Sequence, residues 1–296
     1  MPHSPKLDTL VADIGSVLDD SKPYGFSTEE AASLGGRVSS AFANAIKGRD
    51  FKREAGKVWA SDLGRSCLRE YWYLHNRPDD GEPLVTSTKV KFLYGNFIEE
   101  MLLDLVKKAG HTVHGEQERI AFETPTGVTI SGRPDGIIDG HWSDVKSAAS
   151  FSFSKFRMKG VTQETDSFGY RHQLSFYQNF GESEHAIKGR TPFFLMMDKQ
   201  MGHIAPIYLK DVVSRDRLIS NAEILTTAAA GASEPARMPN FDEPDGKSGN
   251  MKLGLKCSYC SFKKVCHPDA VGYRYSNKPV WLTKVVREPK VPKLED

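Results

Sequence analysis

The cysteines constrain this chain more strongly than any other residues. Cys67 stands alone in the N-terminal third, whereas Cys257, Cys260 and Cys266 lie close together near the C-terminal end. Three cysteines at this spacing are typical of metal ligands, and four thiolates suit either zinc or a 4Fe–4S cluster. One metal centre bound by all four would close the chain between them into a loop. We therefore predict that the segment between Cys67 and Cys257 contains the working domain.

The spacing within this set favours iron–sulfur over zinc. Zinc sites usually pair two Cys-x-x-Cys motifs, whereas here one ligand is isolated and five residues separate Cys260 from Cys266. Zinc stays open as the alternative, and His267, next to Cys266, is a further candidate ligand. Because metal binding is coupled to folding, loss of the metal would destabilise the fold.

Composition is that of an ordinary globular protein. The 296 residues are 39% hydrophobic and 26% charged, and a net charge of +2 neither requires nor excludes nucleic acid. No apolar run approaches the ~18 residues of a transmembrane helix, and the first residues do not resemble a signal peptide. We expect a cytoplasmic protein with no membrane partner. In that compartment clustered cysteines indicate metal binding or catalysis in preference to disulfides.

Hydrophobic periodicity and turn residues predict a mixed α/β or α+β core. Helices are expected at 27–46, 87–108, 152–159, 168–180 and 212–230, and strands at 112–123, 127–147, 192–197 and 203–210. The first helix begins with a capping-box pattern at Ser27 to Glu30, and residues 233–254 are expected to form a loop. For the helix 87–108 we expect an apolar stripe of Phe92, Leu93, Phe97, Met101, Leu105 and Lys108.

A predicted hairpin carries two opposed acidic residues. Asp139-Gly140 is a strong signal for a two-residue turn, and that turn brings Asp135 opposite Asp144 with Cβ atoms ~5 Å apart. Lys146 shares their face, because residues two apart on a strand point the same way. Opposed like charges destabilise a sheet unless something compensates, so the pair predicts a divalent cation, Mg²⁺ or Mn²⁺.

These residue types suit phosphodiester hydrolysis. A bound cation lowers the pKa of water and offsets charge on the phosphate, and Lys146 would orient the attacking water. The backbone carbonyl of Val145 is a further candidate metal ligand, and Glu99 would face inward from its helix to join the site. Gln173 and Tyr177 lie four residues apart on one helical face and would hold substrate. Chance spacing on a surface hairpin, or plain packing, is the alternative interpretation.

Basic and aromatic residues follow this hairpin. Lys155 and Arg157 would neutralise phosphates, Phe156 would stack on a base, and Arg171 would point into the same groove. Solvated surface charge is the alternative interpretation of each. No pattern suggests contact with base edges, so we expect little sequence specificity.

Taken together, these motifs resemble the RecB-like branch of the PD-(D/E)XK nuclease superfamily. The motif residues of that branch have counterparts in the same chain order: Glu99, Asp135, Asp144 with Lys146, and Gln173 with Tyr177. The cysteine pattern is similar to that of the iron–sulfur members, such as the AddB nuclease domain and the CRISPR-adaptation exonucleases. Many relatives carry His where this chain has Glu99, which changes the charge of the site.

The resemblance implies a restriction-endonuclease-like core with a mixed central sheet flanked by helices. We divide the chain into an N-terminal extension (1–60), a nuclease core (61–270) closed by the iron–sulfur cluster, and a tail (271–296). The implied activity is a metal-dependent DNA exonuclease that acts from single-stranded or 5′ ends in recombination, repair or phage DNA processing, in the cytoplasm of a bacterial or phage-infected cell.

Two alternatives stay open beside this interpretation. One is an endonuclease or flap-trimming nuclease, and the other is a non-catalytic iron–sulfur module that binds DNA. A homo-oligomer and a helicase or recombinase partner are compatible with each of them.

The cysteine hypothesis predicts the outcome of a single substitution. Cys260→Ala should yield a colourless and poorly soluble protein, because one lost thiolate releases the metal and its contribution to folding. Absorbance of the purified protein and its soluble yield measure this directly. A stable, brown and active variant would contradict the hypothesis.

Overall fold

The structure, a computed structural model, describes residues 7–19, 27–47, 53–275 and 279–294, and groups of helices and groups of strands follow one another along them. The helices are α1 (Leu10–Asp19), α2 (Thr28–Lys47), α3 (Leu68–Asn76), α4 (Thr86–Lys108), α5 (Ser150–Lys159), α6 (Tyr170–Phe180), α7 (Arg215–Ala230), α8 (Leu255–Tyr259) and α9 (Lys263–Cys266). The strands are β1 (Lys57–Trp59), β2 (Val113–His114), β3 (Ile120–Glu123), β4 (Thr129–Gly132), β5 (Gly136–Ile138), β6 (His141–Ala148), β7 (Phe193–Asp198), β8 (Ile204–Tyr208), β9 (Asp242–Pro244), β10 (Met251–Leu253), β11 (Val271–Arg274) and β12 (Pro279–Lys284). The predicted mixed α+β class is confirmed.

Two compact units share the chain. The first comprises residues 1–51, 56–64 and 85–223 and contains the five-stranded sheet β2-β5-β6-β7-β8 and the three-stranded sheet β1-β4-β3. The second comprises residues 52–55, 65–84 and 224–296 and contains the four-stranded sheet β11-β12-β10-β9. Parts of the proposed extension and tail lie outside the described residues, and the division at residues 60 and 270 stays a prediction.

The predicted loop at 233–254 is wrong in part. It contains β9 and β10, which pair antiparallel with Lys252 opposite Glu243. Gly246 and Gly249 lie in the turn that joins these strands, whereas Pro244 ends β9 and the other prolines precede it.

The turn at Asp139 and Gly140 sets the register of the β5–β6 hairpin. Ile138 lies opposite His141 and Gly136 opposite Ser143, as the sequence predicts. The φ angles are +48° at Asp139 and +83° at Gly140, as a type I′ turn requires.

Contacts of the Asp139 side chain stabilise this turn. The buried Asp139 carboxylate accepts hydrogen bonds from the Thr112 amide at 3.0 Å and the Thr112 hydroxyl at 3.1 Å. The fully buried His111 ring faces Asp139 through one nitrogen and Asp13 of α1 through the other. The turn is therefore tied to the start of β2 and to α1.

The five-stranded sheet is mixed. Strand β6 runs parallel to β7, and the other pairs in the sheet are antiparallel. Parallel neighbours need a crossover connection, and here α5 and α6 supply it. Val145, Phe193 and Leu195 point to one face and pack with α1 and α4. On the opposite face the Phe194 ring lies 6.3 Å from the Tyr170 ring of α6, centroid to centroid.

The buried face of α4 differs from the predicted stripe. Ile98, Leu102, Leu103 and Val106 are buried against the sheet, whereas Phe92 and Phe97 are 57% and 48% exposed. Met101 and Leu105 of the predicted stripe pack against the same core, so the stripe is confirmed in part. It is wrong at Phe97, because Ile98 and not Phe97 faces the core at that turn of the helix. The bounds of the helix are as predicted, and Gly110 follows its end with φ +87°.

Helix α2 begins at the predicted capping box. The Glu30 amide donates to Ser27 Oγ at 3.1 Å, and the Ser27 amide donates to Glu30 Oε2 at 2.8 Å. Arg37 then pairs with Glu100 of α4 at 2.7 Å, which aligns α2 along α4. None of the described helices combines the length and the apolar character that a membrane crossing requires.

Loss of the Asp139 carboxylate should destabilise the hairpin. Asp139→Ala removes the acceptor for Thr112 and leaves the buried His111 without this partner, at a cost of about 2–4 kcal/mol. Urea unfolding measures the difference in free energy of unfolding. Asp139→Asn is the matched control, since Asn tolerates positive φ and keeps an acceptor oxygen, and it should lose clearly less. A loss of less than about 0.5 kcal/mol for Asp139→Ala, the usual effect of a surface substitution, would show that the carboxylate contacts do not hold the turn.

Candidate active site and cysteine cluster

The hairpin and α4 bring the predicted acidic residues together in the first unit. Asp135 precedes β5 and Asp144 lies on β6, while Glu99 reaches them from the buried face of α4. Asp135 Oδ2 accepts a hydrogen bond from the Val145 amide at 2.7 Å. This contact crosses the hairpin beyond its last paired residues and fixes the Asp135 carboxylate beside Asp144.

Gln117 bridges two of these carboxylates, and sequence reasoning missed it. Its Nε2 donates to Glu99 Oε1 at 2.9 Å and to Asp135 Oδ1 at 3.2 Å. The backbone has φ +58° at Gln117, a left-handed conformation that costs about 1–3 kcal/mol in a non-glycine residue. The backbone N–H of Gln117 donates to the Pro134 carbonyl at 2.9 Å, and this hydrogen bond stabilises the left-handed conformation. No periodic signal or motif marks the position.

Burial and mutual repulsion act on the carboxylates. Burial, followed by the charges of Asp144 and Glu99, raises the pKa of Asp135 well above its ordinary value. Burial and the Asp144 charge also raise the pKa of Glu99. The neutral amide of Gln117 compensates these charges only in part, so the acidic group is electrostatically unfavourable when fully ionised.

Lys146 supplies the local positive charge. Its Nζ forms an ion pair with Asp144 Oδ2 and lies 5.4 Å from the centre of the Tyr170 ring. Burial lowers the pKa of Lys146, but the Asp144 and Asp135 carboxylates outweigh it and hold the pKa above its ordinary value. The ammonium group is therefore charged throughout the neutral range.

The donor set fits a hard divalent cation. Carboxylate oxygens are the ligands that Mg²⁺ and Mn²⁺ prefer, and the buried Asp144 Oδ2 accepts no well-directed hydrogen bond. Among the described residues, no three His, Cys, Asp or Glu side chains already stand at the mutual positions of a formed metal site. In this arrangement the oxygens are instead held by Gln117 and Lys146.

Gln173 and Tyr177 share one face of α6, as their spacing predicts. Gln173 Nε2 donates to Tyr177 Oη at 3.1 Å, and the buried Tyr177 hydroxyl donates to the Arg133 carbonyl at 2.9 Å. The pair thus fixes the backbone two residues before Asp135. Tyr177 acts on the site through this backbone, and Gln173 remains half-buried beside it.

The predicted DNA contacts have different surroundings. Arg157 is exposed on α5, whereas Lys155 donates to the Thr165 carbonyl at 2.8 Å and Phe156 is buried. Arg171 is buried at 7% exposure and forms an ion pair with Asp211. The structure therefore gives Lys155, Phe156 and Arg171 internal contacts, and leaves Arg157 facing solvent.

All four cysteines belong to the second unit. Cys67 precedes α3, and its Sγ accepts a hydrogen bond from the Glu70 amide at 3.4 Å. Cys260 follows α8 and Cys266 ends α9. Both pack beside a small core in which the Tyr73 and Phe262 rings stack with centroids 5.1 Å apart. The adjacent His267 is buried, and its ring stacks on Phe241.

The thiols lie within electrostatic range of one another. Burial raises the pKa of Cys257 to about 11 and that of Cys260 to about 12. A neighbouring thiol adds to the shift, since Cys67 raises the pKa of both groups. Burial likewise raises the pKa of Cys67 and Cys266. No three of these thiols stand at the mutual positions of a formed metal site in the described part of the chain, and a metal would have to displace their protons in order to bind.

Comparisons with known proteins give a likeness in fold only. No protein-family model and no curated protein matches this sequence. A crystal structure of SSO0001 superposes with a TM-score of 0.46 and 15% identity, over 82% of this chain and 96% of that one. A crystal structure of LHK-Exo in complex with dAMP gives a TM-score of 0.35 and 17% identity, over 59% of this chain and 86% of that one. Because both TM-scores lie below 0.5, neither likeness bears on the chemistry of this site.

The raised pKa of Asp135 predicts a pH-dependent stability difference. A group whose pKa is raised on folding contributes stability that is present below its unfolded pKa and is lost as the pH rises through the folded pKa. In chelator, Asp135→Asn should therefore raise the thermal midpoint by at least ~2 °C at pH 8. The gain should shrink towards pH 4, where the wild-type carboxyl is increasingly protonated.

A thermal scan of both proteins across this pH range makes the measurement. Glu123→Gln, which removes an exposed carboxylate on β3, is the matched control and should leave the midpoint unchanged at every pH. A lower midpoint for Asp135→Asn at pH 8 would show that the hydrogen bonds of the carboxylate outweigh its electrostatic cost.

Proposed function

We propose that the first unit is a metal-dependent nuclease that hydrolyses phosphodiester bonds in DNA. The observation that carries the proposal is the convergence of Glu99, Asp135 and Asp144 beside Lys146. Held so closely, these carboxylates are costly to ionise without a cation. Groups with strongly perturbed pKa values and a specific charge partner are typical of functional sites.

The cation is expected to be Mg²⁺ or Mn²⁺, held by Glu99, Asp135 and Asp144 with the Val145 carbonyl. When bound, it offsets charge on the phosphate and lowers the pKa of water. Binding requires the Gln117 amide to give up its contacts with Glu99 and Asp135, since the same oxygens would be the ligands.

The protein's own residues then orient the substrate. Lys146 keeps its ammonium charged between Asp144 and the Tyr170 ring, where it stabilises negative charge that develops on the phosphate and orients the attacking water. Tyr177 and Gln173 hold the Arg133 carbonyl, and through it the position of Asp135. Exposed Arg157 is the remaining candidate for a phosphate contact.

The order of elements supports a PD-(D/E)XK core of the RecB-like type. An acidic helix, α4, precedes the hairpin β5–β6 that carries Asp135, Asp144 and Lys146. The helix with Gln173 and Tyr177 follows, and then the parallel strand β7. On this basis we propose an exodeoxyribonuclease that acts from single-stranded or 5′ ends, in DNA recombination, repair or phage DNA processing.

We further propose that Cys67, Cys257, Cys260 and Cys266 hold a 4Fe–4S cluster, with zinc as the alternative. The proposal is supported by four half-buried thiols in one unit, with Cys67 close enough to Cys257 and Cys260 to act on them electrostatically. The role of the cluster is structural, because it joins α3 to the segment that contains α8 and α9.

Degradation of end-labelled DNA tests the nuclease. Wild-type protein with Mg²⁺ or Mn²⁺ should release label, and the labelled end that is lost first gives the polarity. Lys146→Ala should reduce the rate by about 10²–10³-fold, the usual effect of removing one charge-stabilising donor. Lys188→Ala, at an exposed position of the same unit, is the control and should keep the wild-type rate.

Three outcomes would correct the proposal. An undiminished rate for Lys146→Ala would place the activity elsewhere. Cleavage within closed circular DNA would favour an endonuclease. DNA that stays intact but is retarded on a gel by wild type and variant alike would favour a non-catalytic binding module.

A further inference from the structure

We propose that the first three turns of α4 form a binding face for single-stranded DNA, with Phe92 as a platform on which a base stacks. This inference rests on the proposed nuclease function, because the face leads directly to Glu99. It assigns a role to exposed aromatic and basic residues that the proposed chemistry does not use.

Helix geometry places Phe92 in line with the site. Phe92 precedes Glu99 by seven residues, which is almost two turns. At 3.6 residues per turn the two side chains project within about 20° of each other, and they are about 10 Å apart along the axis. Gly95 lies between them on the same face. A strand held over Phe92 therefore continues along the helix towards the carboxylates.

The face of α4 that carries Phe92 and Glu99 is exposed before Glu99 and buried after it. Beyond Glu99, Leu102 and Val106 are buried against the sheet. Before it, Phe92 is 57% exposed, and a Cβ atom added at Gly95 would meet no described atom within 4 Å. The helix surface between Phe92 and Glu99 is thus open to a ligand at the point where the site begins.

The charge of this segment complements a nucleic-acid backbone. Residues 83–98 contain Lys89 and Lys91 but no acidic residue, and Glu99 is the first acid. Both lysines are exposed, and they project about 80° to either side of the Glu99 direction. The N-terminal end of the long helix α4 adds the positive end of its dipole. Phe92 thus stands between two cations that can each contact a phosphate.

This combination favours a single strand over a duplex. Aromatic rings bind single strands by stacking on unpaired bases, while nearby Lys or Arg neutralises the phosphates. In the interior of a duplex each base is already stacked on both sides, so Phe92 could contact a base face only at the terminal pairs. Because every base offers such a face, the platform would bind without sequence preference.

Anisotropy titration of a labelled oligothymidine tests this face. The binding measurement uses Lys146→Ala protein in chelator, so that no DNA is consumed. In this Lys146→Ala background, a second substitution, Phe92→Ala, should weaken the affinity at least about fivefold. This is the lower end of the effect expected when one base loses its stacking on an aromatic ring. Adding Phe97→Ala is the matched control and should leave the affinity unchanged. Phe97 is 48% exposed on the same helix but points about 160° away from Glu99.

Salt and substrate provide independent readouts. Replacing Lys89 and Lys91 with Ala together should reduce the slope of log affinity against log salt by about 1.4, the value for two phosphate contacts on a single strand. A blunt duplex of equal length should show no difference between the Phe92 and Phe97 variants. Thermal midpoints of both variants should match the parent, since both rings are exposed.

The results separate this proposal from the nuclease. If Phe92→Ala and Phe97→Ala bind alike while wild-type protein degrades DNA, the binding face is wrong and the nuclease stands. If Phe92→Ala alone weakens binding while wild-type protein shows no metal-dependent turnover, the face stands and the nuclease is wrong. Equal weakening of single-strand and duplex binding by Phe92→Ala would overturn the stacking role.

Discussion

The active-site geometry depends on the two-residue turn at Asp139 and Gly140. A hairpin shifted by one residue would send Asp144 and Lys146 to the opposite face of the sheet. Two positive φ angles specify the turn locally, and the buried Asp139 carboxylate ties it to Thr112 and His111. The site is thus supported by contacts at the far end of the same hairpin, away from the reacting groups.

The charge of the three active-site carboxylates is compensated by the residues that contact them. Three acids meet in a poorly solvated space, and burial raises the pKa of two of them. Lys146 compensates Asp144 directly, while Gln117 contributes only amide hydrogens to Glu99 and Asp135. The strained backbone of Gln117 stores free energy at the place where a cation is expected to enter.

The second unit also brings ionisable groups close together in a partly buried place, but these groups are thiols and not carboxylates. Short helices and turns bring Cys260 and Cys266 beside the Tyr73–Phe262 core, too small to stabilise much chain alone. Raised pKa values keep the thiols protonated without a metal. A metal bound by these thiols would add its binding free energy to that of folding, which is why we assign the cluster a structural role.

Local patterns in the sequence were sufficient for the elements and for the hairpin register. The capping box at Ser27, the bounds of α4 and the Asp139-Gly140 turn each depend on residues close in sequence, and each is as predicted. The face of α4 and the environments of Lys155 and Arg171 were not predictable in this way. Whether those side chains are buried depends on distant partners, such as the sheet residues packed against α4, the Thr165 carbonyl and Asp211.

The same division holds at the site. By itself the sequence determined that Asp135, Asp144 and Lys146 share one face of a hairpin, because strand pairing has a period of two residues. Only the tertiary structure decided that Gln117 joins Glu99 to Asp135, since this contact needs a left-handed backbone in a loop that no local pattern specifies. This contact of Gln117 depends on long-range packing, which propensity and spacing do not encode.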